Sequence, residues 1–204
     1  MSCKGDLRPF QRPVIRPYPS PDEAGYLRKL PEVIESNAVA NPNHVFCLQA
    51  KQNPDRPFPS LISVTNSQLR DAISRCAGWI QFSVLPQLPN VADGSVNKGV
   101  PIALLMESDI GLSLPQMSFL GLDVPALLLS PRISTSIRSL LRRTSATAVI
   151  APIRLEATAR EAAQDTIPIH LPLSFESLLS SQDLNHRIPS AIHTTILTSP
   201  IAVC

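Results

Sequence analysis

Three runs in the middle of the chain, Val100 to Glu107, Val124 to Ser130 and Thr147 to Ala151, are apolar almost throughout, and they restrict the fold more than any other feature. A strand with one wet face alternates apolar and polar side chains, whereas an unbroken apolar run needs cover on both faces. Helical stretches separate the runs. The first extends from about Asp109 to Leu120 with Ser108 as N-cap, and the second, after Ser134, turns Ile137, Leu140 and Leu141 inward and Arg138 and Arg142 outward. The order βαβαβ predicts an α/β fold: a largely parallel sheet with right-handed crossovers and helices on both faces. Pro115 falls about two turns into the first helix, where it removes one hydrogen bond at about 3 kcal/mol unless a kink accommodates it.

Before this unit, Leu30, Val33, Ile34 and Ala38 recur at helical spacing and stop at Asn41-Pro42, because the residue before a proline avoids the α region. Val45 to Ala50 and Leu61 to Thr65 read as two strands, with Asn53-Pro54 and the Pro57/Pro59 pair in a surface loop between them. Thr65-Asn66-Ser67-Gln68 has the form of a capping box. The helix it opens carries one stripe of Leu69, Ala72, Ile73, Cys76, Ala77 and Ile80, with Arg70, Asp71 and Arg75 off it, so Cys76 is expected in the core and not as a nucleophile. After the third apolar run, Ile167 to Leu173 suggests a further strand, Ser174 to Leu179 a short helix and Ile192 to Leu197 a last strand.

Composition bounds the rest. With 204 residues, 44% of them hydrophobic, the chain has material for one ordinary core, and a net charge of +2 lacks the basic surplus of a nucleic-acid binder. The 21 prolines stand against only 7 glycines. Residues 1–27 repeat an Arg-Pro step at Arg8-Pro9, Arg12-Pro13 and Arg16-Pro17, which favours a disordered, extended arm that is either a flexible leader or a docking ligand. No apolar run reaches the ~18 residues of a membrane span, so no membrane partner is expected. Cys3, Cys47, Cys76 and Cys204 form no C-x-x-C pair, and Met1 to Arg16 lacks an apolar signal segment, which together predict reduced thiols, no metal centre and a cytoplasmic setting.

Chemistry is sparse. The sequence contains no G-x-G-x-x-G, no G-x-x-x-x-G-K-[ST] and no G-x-S-x-G, which excludes the dinucleotide, P-loop and hydrolase motifs. His44, His170, His186 and His193 are isolated and read as hydrogen-bonded structural residues. Arg138, Arg142 and Arg143 lie late in a helix, where cations suit the dipole, and read as a solvated face rather than a phosphate clamp. Glu107 and Asp109, just past a strand end, stand where a site of an open α/β sheet sits, although their reading as helix-start acids favoured by the dipole is the stronger.

The order of segments nevertheless carries a resemblance over roughly Leu30 to Ser199. Leu30-Pro31-Glu32-Val33-Ile34-Glu35, followed by Asn41-Pro42-Asn43-His44-Val45-Phe46, resembles the opening of adenylate-forming enzymes. Val64-Thr65-Asn66-Ser67-Gln68-Leu69 is similar to their first core motif, Leu-Thr-Tyr-x-Glu-Leu, with Asn66 and Gln68 in place of Tyr and Glu. Val100 to Ser108, then Phe119-Leu120-Gly121-Leu122-Asp123-Val124-Pro125 and Ser130-Pro131-Arg132, resemble the second. The nearest likeness is to fungal-type nonribosomal peptide synthetase-like and carboxylate-reductase adenylation domains. The resemblance implies the N-terminal subdomain of that fold over residues 28–204, and a family activity in which ATP and Mg convert a carboxylic acid to an acyl-adenylate that passes to a thiol. It implies further that Thr198 and Ser199 approach the family's phosphate loop, where Pro200 to Cys204 stand in place of its glycines and lysine. No catalytic residue, metal ligand or cofactor site of the family then falls within the chain.

The expectation is therefore an incomplete adenylate-forming fragment, inactive alone, whose partners are the remainder of the adenylation domain or a carrier protein. An uncovered apolar surface, and with it self-association, is expected of such a fragment. The rival reading is a non-catalytic interaction module that binds a protein partner through the α/β domain and the Arg-Pro arm. A third, nucleic-acid binding through the arm, is disfavoured by the charge.

Overall fold

In the computed structural model, residues 30–51, 58–88, 101–107, 110–164 and 166–180 are described. The arm over 1–27, the loop at Asn53-Pro54, Ser108, Asp109 and the strand expected from Ile192 to Leu197 lie outside them. Helix α1, Leu30–Ala40, ends one residue before Asn41-Pro42, as the proline requires. Leu30, assigned to its apolar stripe, is instead 48% exposed, while Ala38 of the same stripe is buried. Strands β1, Val45–Lys51, and β2, Ser60–Thr65, form an antiparallel hairpin with a register shift between Val45 and Cys47.

Helix α2, Asn66–Trp79, opens on the expected capping box: Gln68 N donates to Thr65 Oγ1 at 3.3 Å and Thr65 N donates to Gln68 Oε1 at 2.9 Å. Two further amides of its first turn donate to the loop after α1, Asn66 N to His44 O at 2.9 Å and Ser67 N to Pro42 O at 3.1 Å. Side chain and loop together thus satisfy donors that a helix start leaves free. All six residues of the expected stripe are buried, and the helix runs on through a π turn, Ile80–Val84, into a 3-10 turn, Leu85–Gln87.

The second sheet has the order β4-β3-β5-β6, all parallel, from β3, Ile102–Leu105; β4, Ala126–Leu129; β5, Ala148–Ile150; and β6, Ile169–His170. Helix α3, Ile110–Leu122, joins β3 to β4 and runs through the buried Pro115. Buried Ser118 turns its hydroxyl to Leu114 O at 2.8 Å and Ile73 O at 3.0 Å, tying α3 to α2. Helix α4, Ser134–Thr144, buries Ile137 and Leu141 while Leu140 is partly covered. Helix α5, Glu156–Ala163, has no counterpart in the sequence reading, and α6, Phe175–Leu179, starts at the N-cap Ser174.

Two cores follow from the alternation of β3 and β5. Ile102, Leu104, Ala148 and Ile150 meet α2 and α3 through Ile73, Leu114 and Phe119. Ala103, Leu105, Val149 and Ala151 meet α4 and α5 through Ile137, Leu141 and Ala159. Helices on both faces are thus borne out, and β3 and β5 are buried throughout. The run from Val124 to Ser130, read as equally buried, is not: Ala126 and Leu128 of β4 are exposed, β4 being the edge of the described sheet. The strand expected from Ile167 to Leu173 shrinks to two paired residues.

Scarce glycine leaves a mark at the helix ends. Asp123, Ser145 and Gln164, closing α3, α4 and α5, adopt φ of 57°, 53° and 52°. Val124 N donates back to Phe119 O at 3.0 Å and Ala146 N to Leu141 O at 3.1 Å, the six-to-one bonds of a left-handed helix stop made without glycine.

Candidate functional site

Strand order locates the place where an open α/β sheet takes a ligand. The connection from β3 runs over one face to β4, while that from β5 runs over the other to β6, so their carboxyl ends diverge around a crevice. Glu107, two residues past β3, stands on one side. Arg154, in the 3-10 turn Ile153–Leu155 after β5, stands on the other, and its Nη2 lies 2.7 Å from Glu107 Oε2. Both side chains are about half exposed, so the pair contributes on the order of 0–1 kcal/mol and holds geometry more than stability. Glu107 was legible as a strand-end acid; Arg154 was missed, and its only signal is its place just past the third apolar run.

This crevice does not fit a triphosphate. A carboxylate occupies one wall, Arg154 opposite it is already paired, and neither strand end carries a glycine turn that would let backbone amides close on phosphate. Among the described residues no group of three His, Cys, Asp or Glu is placed to hold a metal ion. Thr198 and Ser199, the expected approach to the phosphate loop, lie outside the described residues, as do Asp109, His186 and His193.

The remaining candidates resolve into structure. Arg138 donates from Nη2 to Glu161 O at 2.9 Å and so staples α4 to α5, while Arg142 and Arg143 are exposed at the end of α4. Cys76 is buried beside Ser118, and desolvation pushes its thiol up to about 12 against a lowering hydrogen bond from Ser118, which leaves no thiolate for chemistry. His170 departs from its expected role: it is buried at the end of β6, yet its Nε2 has no hydrogen-bond partner among the described residues, and burial holds its pKa below the usual imidazole value. It pairs with Ile150, which faces the α2 and α3 side of the sheet. A cleft between α1, α2 and α3, lined by Ile34, Glu35, Arg70, Ser74 and Met117, measures about 20 Å³. That is room for about one water molecule, not for a nucleotide or an acyl chain.

No family model matches the sequence. Over 151 residues, however, it is 35% identical to the non-ribosomal peptide synthetase ascB of Acremonium egyptiacum, and over 160 residues 34% identical to an adenylate-forming reductase of Aspergillus terreus. These stretches take in 74% and 77% of the chain. Over about three quarters of its length the chain is similar to adenylate-forming enzymes. It spans 13% and 15% of the length of those two relatives. The fold agrees: 76% of the chain superimposes on 36% of the N-terminal domain of FACL13 from Mycobacterium tuberculosis, with a TM-score of 0.53 at 17% identity. The α/β sheet with its helices is therefore that of the N-terminal subdomain in this family. No helix of the described residues is long and apolar enough to cross a membrane.

Proposed function

We propose that this stretch is the N-terminal scaffold of an acyl-adenylating enzyme and that its 204 residues do not activate a carboxylic acid by themselves. The observation that carries the reading is the identity of about a third to two adenylate-forming relatives over three quarters of the chain. Its second half rests on chemistry: a triphosphate needs closely approaching amides and a cation, and the crevice beyond β3 and β5 offers a paired Arg154 facing a carboxylate. Pro200, where the family's loop has glycine, contributes neither an amide hydrogen nor a charge.

In this reading the chain's own residues supply the rigid sheet against which the catalytic segments are held. ATP, Mg and the acyl substrate are bound by polypeptide outside these 204 residues, and a carrier-protein thiol receives the acyl group. The reading also sets the reaction in the cytoplasm, where ATP and reduced thiols are at hand.

The test is ATP–pyrophosphate exchange with a panel of carboxylic acids. The chain alone is expected to give none, and the chain extended by the part of ascB that follows the matched region is expected to regain it. Exchange by the unextended chain would overturn the scaffold reading.

A further inference from the structure

The β1–β2 hairpin is apolar on both faces, and the described residues cover only one of them. The register sets Cys47 opposite Val64 and Gln49 opposite Ile62 on one side, and Leu48 opposite Ser63 and Ala50 opposite Leu61 on the other. The first side packs inward: Val64 is fully buried and Cys47 lies against the α2 core. On the second side Leu48 is 59% exposed and Leu61 64%, with Phe46 beside them at 52%. Val45, Phe46, Leu48, Phe58 and Leu61 make five of the twelve exposed large apolar side chains among the described residues.

An antiparallel pair with one wet face carries polar residues outward. Here, apart from the terminal Lys51, neither strand contains a charge. An uncharged strand pair with apolar residues on both faces has the composition of a buried middle layer, and α2 supplies only one of its two neighbours.

We infer that the outer face of this hairpin is the seam against which the rest of an adenylate-forming N-terminal domain packs. The inference rests on the scaffold reading above. Two observations choose this occupant. The chain accounts for 36% of a solved N-terminal domain of this fold and at most 15% of the two curated relatives, so a full-length protein of this family has a large further body to place. A second copy fits poorly. At about 3.3 Å per residue and 4.8 Å between strands, the seven-residue β1 and its partner offer a footprint of about 220 Å², against about 800 Å² per partner in a stable complex. A seam this small suits a layer joined through the same polypeptide, where effective concentration replaces contact area.

The experiment compares amide hydrogen exchange in the full chain with that in the full chain extended at Cys204 by the segments of ascB, or of the Aspergillus terreus reductase, that follow their matched regions. Amides of 45–51 and 60–65 are expected to exchange about tenfold or more slowly in at least one extended protein, and an apolar dye to bind less. Replacing Phe46→Ser, Leu48→Ser and Leu61→Ser together is expected to abolish that slowing while the amides of α2 and β3 keep theirs, which separates docking from misfolding. No slowing with either extension overturns the inference, and so does protection in the unextended chain that rises with concentration, the mark of a second copy. Pyrophosphate exchange on the same proteins separates the two readings. Activity without hairpin protection overturns the seam alone, and protection without activity upholds the seam while removing the acyl-activating role.

Discussion

Strand β3 and the β1–β2 hairpin are similarly apolar, yet Ile102, Ala103, Leu104 and Leu105 are all fully buried while Leu48 and Leu61 face solvent. β3 lies between two helical layers, α2 and α3 on one side and α4 and α5 on the other, whereas among the described residues the hairpin packs one face towards α2 and leaves the other exposed. Apolar content therefore reports how many layers a strand is built for, not how many it has. Strand β4 makes the same point inside the parallel sheet, where Leu128 is 47% exposed and Leu129 is buried.

The contrast can be broken most directly by truncating one leucine in each region. Leu104→Ala is expected to lower unfolding stability by about 2–5 kcal/mol in urea titration, because it leaves a cavity in the core that β3 shares with α2 and α3, whereas Leu48→Ser in the hairpin is expected to stay within about 0.5 kcal/mol. Similar losses at the two sites would show that the hairpin face is covered already.

Thr65→Ala tests the junction between the regions. Losing the capping bond to Gln68 N is expected to cost about 1 kcal/mol and to speed amide exchange in the first turn of α2. Gln164→Gly should act in the opposite sense. With φ at 52°, a glycine relieves the left-handed strain, and a gain of up to about 1 kcal/mol is expected in the same titration.

The parallel sheet should also carry a pH signature on the acid side of neutrality. Because burial lowers the pKa of folded His170 below that of the unfolded chain, the unfolded state binds the proton more readily. Stability from this group is thus present above pH ~6.5 and lost as pH falls from there through the folded pKa. A small drop in the urea midpoint between pH 7.5 and 5 is expected, reduced in His170→Gln; an unchanged slope in that variant would show that His170 stays paired or hydrated.

Local chemistry made much of this legible. The capping box at Thr65 and Gln68, the buried stripe of α2, the halt of α1 before Pro42 and the short helix at Ser174 to Leu179 all depend on neighbouring residues, and each stands where the local pattern predicted, with Ser174 as the cap of the last. Helix α5 escaped because its inward residues are Ala159, Ala162 and Ala163, too small to mark an apolar stripe, and its clearest signal is the exposed Glu156–Arg160 pair one turn apart. With α5 missed, the turn before it had no anchor, and Arg154 was not matched to Glu107.

By itself the sequence determined the βα alternation, the family likeness and the lack of a glycine-rich phosphate turn, since periodicity, caps and motifs are written in neighbouring residues. Only the tertiary structure decided, among the described residues, that β4 is an edge, that the hairpin's outer face is exposed and that His170 Nε2 is left without a partner, and that Glu107 meets Arg154 across the diverging strand ends. Each of these depends on which layers lie beside a strand, and that is set by packing between segments far apart in the chain.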